Sequence, residues 1–283
     1  MLNGCAYILT VDVGNTFIRF GLFAEDSAAA QECPLATCEI TTPTRITADE
    51  ARMRLAQVMG ALAADAGMPG ALVPTAAVLS CVVPALERPW KAALSRTCTG
   101  RVLTVGPGLK TGMPVHYDDP AEIGPDRIAD AVAARAVYGS PCIVIDLGTT
   151  TNIEVIDARG TFVGGVIAPG LALGARSLSA AAARLPQVEP SAPTHVIGRN
   201  TREAMRSGVV LGEVARIDGM LDMVLAEMRA TKAAGEGGVP IVITGDDAEA
   251  LAALVGHSLT VDDALTLRGL AELYRINQKP RRA

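Results

Sequence analysis

The chain has 283 residues, 49% of them hydrophobic and 19% charged, which allows about two well-packed domains and excludes a disordered polymer. Its net charge of −5, with no long run of Lys or Arg, argues against a nucleic-acid surface. No apolar stretch approaches the roughly 20 residues of a membrane span, so a cytoplasmic protein is expected.

The first predicted element is the apolar run Ile8-Leu9-Thr10-Val11. It enters Asp12-Val13-Gly14-Asn15-Thr16 and returns through a strand from Phe17 to Phe23. Strand, Asp-x-Gly turn and return strand make a hairpin with an acid at its tip. Cys33 to Thr42 reads as a further strand pair or an edge strand. Thr47 is a cap candidate, with Glu50 as its partner, for a helix running to about Ala66. Ala76 to Val83 is a short buried strand ended by Pro84. Ala85 to Arg96 reads as a helix, Arg101 to Val105 as a strand, Gly106 to Thr111 as a loop and Asp126 to Tyr138 as a helix. Strands separated by helices imply mixed α/β layers.

Tyr138-Gly139-Ser140-Pro141 breaks the pattern, and a domain boundary is placed there: 1–138 and 139–283. Immediately afterwards the opening pattern recurs, as Ile143-Val144-Ile145 followed by Asp146-Leu147-Gly148-Thr149-Thr150 and a strand from Ile153 to Ile156. A strand from Thr161 to Ile167 follows, with Gly164 to Gly170 as a glycine-rich turn. Helices are expected from Leu171 to Leu185, ended by Pro186, and from Glu203 to Met228. Ala233 to Gly238 is a loop, Pro240 to Thr244 a buried strand, and Ala248 to Val255 and Ala264 to Tyr274 are the last helices. The tail Lys279 to Ala283 is expected to fray. The six cysteines are scattered without a C-x-x-C and are read as reduced thiols. Leu2-Asn3-Gly4-Cys5 superficially matches a lipoprotein cleavage site, but no charged and apolar region precedes it, so it is read as chance.

Two Asp-x-Gly tips in one chain suggest a nucleotide phosphate clamped between two similar half-domains. Glycine lets backbone approach an anion, Thr and Asn add donors, and Asp can hold a metal riding on the anion. Gly106 to Gly112 fails the P-loop spacing, because Leu109 rather than Gly precedes Lys110; a shaped connecting loop is expected. The segment Tyr117 to Arg127 packs four carboxylates, an Arg and a Tyr around Gly and Pro. Asp126 there either caps the following helix or accepts a hydroxyl proton while Arg127 holds a carboxylate or phosphate. His116, His195 and His257 lack metal-ligand spacing and are read as incidental.

The ordered set of these segments resembles the type III pantothenate kinases of bacteria, in the acetate/sugar kinase–Hsp70–actin superfamily. The match includes Asp12 to Thr16, Ser80 to Pro84, Gly106 to Gly112, Tyr117 to Arg127, Asp146 to Thr149, Gly164 to Gly170, Leu185-Pro186, Asn200-Thr201, Thr244-Gly245 and Leu265 to Leu270. The resemblance implies an α/β fold of two ribonuclease H-like (actin-like ATPase) domains with a nucleotide cleft between them. It implies ATP-dependent phosphorylation of pantothenate, the first step of coenzyme A synthesis, and a homodimer. By that resemblance Asp12, Val13, Gly14, Asn15, Thr16, Phe17, Ile18, Arg19 and Thr149 would contact ATP, with Asp12 near Mg²⁺. Tyr117, Gly124, Pro125, Asp126, Arg127 and Thr201 would bind pantothenate. Asp126 would be the general base, and Asp146 would hold a monovalent cation, K⁺ or NH₄⁺. The chain departs from the family's usual residues at Thr150, Asn152, Glu154 and Asp246. The alternative these favour is a catalytically weak paralogue that binds nucleotide or pantothenate and regulates; a superfamily kinase or phosphohydrolase for another small polar substrate is a further rival.

Overall fold

The computed structural model describes residues 6–25, 33–68 and 71–278; Cys5 and the tail Lys279 to Ala283 lie outside them. The backbone divides into two compact units, Met1–Val137 with Ala264–Ala283, and Tyr138–Asp263.

The first unit is built on a five-stranded sheet in the order β3-β2-β1-β4-β5, formed by β1 (Tyr7–Val13), β2 (Phe17–Ala24), β3 (Ala36–Thr41), β4 (Ala76–Cys81) and β5 (Val102–Thr104). β2 pairs antiparallel with both β1 and β3, while β4 joins β1, and β5 joins β4, in parallel. Alternation along β1 sends Leu9, Val11 and Val13 into a core shared with α1 (Ala48–Asp65) and α2 (Pro84–Thr97). Trp90 of α2 fills that core edge-on to Phe20, ring centroids 5.7 Å apart. The predicted Thr47–Glu50 capping box starts α1, and Pro84 opens α2 as its first residue.

The second unit repeats the plan: β10-β9-β6-β7-β8, with β6 (Cys142–Leu147), β7 (Thr150–Ile156), β8 (Phe162–Pro169), β9 (Ile241–Gly245) and β10 (Thr260–Val261). Each unit therefore carries the ribonuclease H-like sheet, three antiparallel strands continued by two parallel ones. Its helices are α4 (Leu171–Ala181), α5 (Thr201–Arg206), α6 (Gly212–Ala230) and α7 (Ala248–Ala252).

Four expectations need correction. Gly164 to Gly170 is not a turn; Gly164, at φ 122°, lies within β8 opposite Val155, where a bulge shifts the register. α4 stops at Ala181 rather than Leu185: Ala182 turns extended, at φ −128° and ψ 104°, and its carbonyl accepts the Leu185 N–H at 2.9 Å in a separate turn. The long helix expected from Glu203 is interrupted by a π turn at Ser207–Leu211. α7 ends at Ala252, short of Val255. The described cysteines are all free thiols, and no described helix is long and apolar enough to cross a membrane.

The last helix, α8 (Leu265–Ile276), packs on β1, β2 and β4 and lies against α3 (Pro125–Tyr138). The approach is close enough that a Cβ on Gly269 would overlap the Ala129 backbone. Helix propensity alone favours Ala over Gly by about 1 kcal/mol. The collision should outweigh it: Gly269→Ala is expected to lose about 1–3 kcal/mol, read as a lower melting temperature. A raised melting temperature would mean that the helices separate freely.

Candidate active site

The first tip is a tight turn at the end of the central strand. The Gly14 N–H donates to Phe17 O at 3.0 Å, and Thr42 braces the turn by donating its hydroxyl to Gly14 O (2.8 Å) and its N–H to Thr16 O (2.9 Å). Asn15 and Thr16 are exposed. Val13 and Ile18 are completely buried in the core. Phe17 is half-buried, and Arg19 lies over its ring while pairing with Glu39 at 3.0 Å.

Asp12 faces away from that core, flanked in the sheet by Arg19 of β2 and Ser80 of β4. It is 8% exposed, and its Oδ1 has no hydrogen-bond partner among the described residues. Burial, reinforced by the charge of Asp126, pushes its carboxyl up to about 6. Ser80, fully buried beside it, pulls the other way together with Arg19.

Asp126 reaches this acid from the first turn of α3. Asp119 caps the 3-10 turn Pro120–Glu122, Ile123 anchors the chain in the interior, and Pro125 opens the helix. Asp126 is thus the second helical residue, not the cap. Its Oδ1 accepts the Arg127 N–H at 2.8 Å, and Gly124 lies so close that a Cβ would strike that oxygen. Burial raises its carboxyl above the ordinary range, and the Arg127 N–H and guanidinium oppose the rise. Arg127 is buried; Tyr117 is half-buried and His116 exposed.

The second tip lies in the second unit. Asp146, half-buried on β6, stands between Asn152 of β7 and Thr244 of β9. The Asn152 Oδ1 is buried without a hydrogen-bond partner among the described residues. Gly170 donates its N–H to Thr149 O at 3.1 Å, and a Cβ there would overlap Gly148 O. Gly245, at φ 92°, is pressed against Leu147 O in the same way, and the Asp246 N–H donates to that oxygen at 2.6 Å. Thr201 is the first residue of α5, which Asn200 caps.

The structure thus groups Asp12, Arg19 and Asp126 in one unit and Asp146 with Thr149 in the other. Three features escaped the sequence reading. Ser80 beside Asp12 follows from strand register, which no local pattern encodes. Glu213 and Arg216 of α6 meet β7 and β8. His257 bonds Asp218 and Asp222 at 2.9 and 3.2 Å, so it is a structural link rather than an incidental residue.

Residues 8–223 match the sequence profile of the type III pantothenate kinase family. A type III pantothenate kinase from Koribacter versatilis is 37% identical, with 96% of each chain covered. Another, from Symbiobacterium thermophilum, is 39% identical over 96% of this chain and 97% of its own. The chain belongs to the type III pantothenate kinases. The fold recurs in a solved structure described as a conserved putative Baf family transcriptional activator from Campylobacter jejuni. That likeness has a TM-score of 0.56 at 18% identity and covers 95% of this chain and 98% of the other. The ethanolamine utilization protein EutJ from Carboxydothermus hydrogenoformans follows, with a TM-score of 0.52 at 15% identity over 94% and 89%.

The elevated Asp12 carboxyl has a consequence for stability. Its folded value of about 6 lies above the ordinary 3.8, so the fold holds this proton more tightly than the unfolded chain does. The associated stability is present below the unfolded value and is lost as pH rises through about 6. In ligand-free protein, Asp12→Asn should therefore gain on wild type as pH rises from 4 to 7, by up to about 3 kcal/mol. Melting curves across that range check it; a constant gap would mean that the carboxylate is solvated.

Proposed function

We propose that this chain phosphorylates the primary hydroxyl of pantothenate from ATP, giving 4′-phosphopantothenate and ADP and opening coenzyme A synthesis. The observation that carries the reading is the carboxylate pair Asp12–Asp126, one at the end of a central strand beside a phosphate-type tip, the other at the start of a helix. Asp126 takes the hydroxyl proton, and the freed oxygen pair attacks the γ-phosphorus as the bond to the β-phosphate oxygen breaks. A base whose pKa is lifted toward working pH drives such a transfer better than an ordinary carboxylate. In the first unit, Arg127, Tyr117, Gly124 and Pro125 contact pantothenate and backbone from Asp12 to Arg19 contacts the nucleotide; in the second, Thr149 is assigned to the nucleotide and Thr201 to pantothenate.

The family implies a divalent ion with ATP, and Asp12 fits one: its buried Oδ1 is an unpartnered anionic oxygen. Mg²⁺ typically takes one or two carboxylates together with substrate phosphates, so Asp12 suffices, directly or through water. Bound there, the ion supplies charge neutralisation on the phosphates. Asp146 and the Asn152 Oδ1 offer oxygens for a monovalent cation. The presence of Asp12, Asp126, Arg127 and Asp146 together argues for a working kinase over a weak regulatory paralogue. The family resemblance implies a homodimer.

Asp126→Asn keeps an oxygen for the Arg127 N–H and removes the base. It should lower kcat by about 10²–10⁴-fold without lowering the melting temperature. A kcat within a few-fold of wild type would reduce Asp126 to a structural role. In matched chloride salts, the rate should be several-fold higher with K⁺ or NH₄⁺ than with Na⁺. Equal rates in all three would remove the cation site from Asp146.

A further inference from the structure

Glu213, on α6, buries its side chain to 4% exposure on the sheet face lined by Ile143, Ile145, Leu147 and Ile153. An isolated charge there is strongly disfavoured, and this one is compensated from both sides. Its Oε1 accepts the Thr151 hydroxyl at 2.6 Å. Its other carboxylate oxygen pairs with the Arg216 guanidinium, one turn along the helix. The same Arg216 Nη2 donates to the Pro169 carbonyl at 2.5 Å.

These contacts converge on one place. Thr151 belongs to β7 and is two residues beyond Thr149. Pro169 ends β8 and is followed by Gly170, whose N–H is bonded to Thr149 O and whose Cα is seated against the Gly148 and Thr149 backbone. α6 therefore grips both chain segments that flank Thr149, one through Glu213 and the other through Arg216. For stability alone, an apolar side chain at 213 would serve as well as a buried ion pair. What the pair adds is direction, since two charge-assisted bonds fix β7 and the β8–α4 junction against a rigid helix.

We propose that Glu213 and Arg216 are positioning residues for Thr149, holding the second tip in the geometry that receives the phosphates of ATP. The proposal rests on the reading that Thr149 touches ATP. Misplacement of a binding group such as the Thr149 hydroxyl by about 1 Å costs up to about 10²-fold in rate, and loss of one of two braces is expected to cost about tenfold in ATP affinity.

Four variants of the full chain test it: Glu213→Gln, Arg216→Met, Arg216→Lys and Thr151→Val. Each is titrated calorimetrically with MgATP and separately with pantothenate, and each is melted. The expected result is about tenfold weaker ATP binding for the Gln, Met and Val variants. Pantothenate affinity stays unchanged, and Arg216→Lys recovers part of the loss. ATP affinity within twofold of wild type in all of them overturns the proposal. So does a parallel fall of both affinities with the melting temperature, the mark of a purely structural ion pair. If Glu213→Gln does not fold, the near-isosteric Thr151→Val decides by the same criteria. Thr149→Val separates the two levels of the argument. Unaltered ATP affinity in that variant removes the underlying role of Thr149 and the proposal with it; loss there, with none in the α6 variants, removes only the positioning role.

Discussion

Asp12 is a carboxylate held at the buried end of a strand that has neighbours on both sides, and much of the first unit is arranged around that strain. Desolvation disfavours its charge, and the nearby charge of Asp126 disfavours it further. Neither acid can relax. β1 is locked between β2 and β4, and Asp126 is confined by Gly124, Pro125 and its bond to the Arg127 N–H. Two acids that repel each other in a fixed geometry are relieved by a cation nearby or by a proton on one of them.

The two units use the same sheet plan and brace their tips differently. The first tip is tied by neutral bonds from Thr42, whose hydroxyl and N–H hold the turn from the adjoining chain. The second is seated between glycines, Gly170 and Gly245, and gripped from behind by the Glu213–Arg216 pair. Backbone packed that closely leaves no room for a Cβ, which explains why glycine occupies both positions. The units differ in burial at this point as well. Asp12 is nearly enclosed, whereas Asp146 is half-buried between Asn152 and Thr244.

The closing of the first unit depends on residues far apart in the chain. α8 arrives after the whole of the second unit and covers the face of the first sheet that carries Thr10 and Asp12. Asn277, just past its end, exchanges two hydrogen bonds with Lys110, at 3.2 and 2.8 Å, and so fastens the loop that leads toward Tyr117 and α3. Gly106 to Gly112 is accordingly the shaped connector its sequence suggested, with its form imposed from outside.

Much of this protein was determined by local sequence. Short apolar, β-branched runs placed the main strands, Thr47 and Glu50 marked the start of α1, and the Asp-x-Gly repeat showed two halves of one design. These features depend on interactions within a few residues, which short-range pattern encodes. The family followed from the order of several such motifs. What local pattern missed shares a different cause. That Ser80 faces Asp12 is a consequence of parallel register between β1 and β4. The glycine run at 164 looked like a turn because glycine signals a break, yet in the sheet it supplies a bulge opposite Val155. The return of α8, the placing of Asp126 against Asp12 and the grip of Glu213 on Thr151 all join positions tens to hundreds of residues apart. Burial and charge at those positions exist only once the chain has folded, so tertiary structure alone decided which acids repel and which bonds hold the tips.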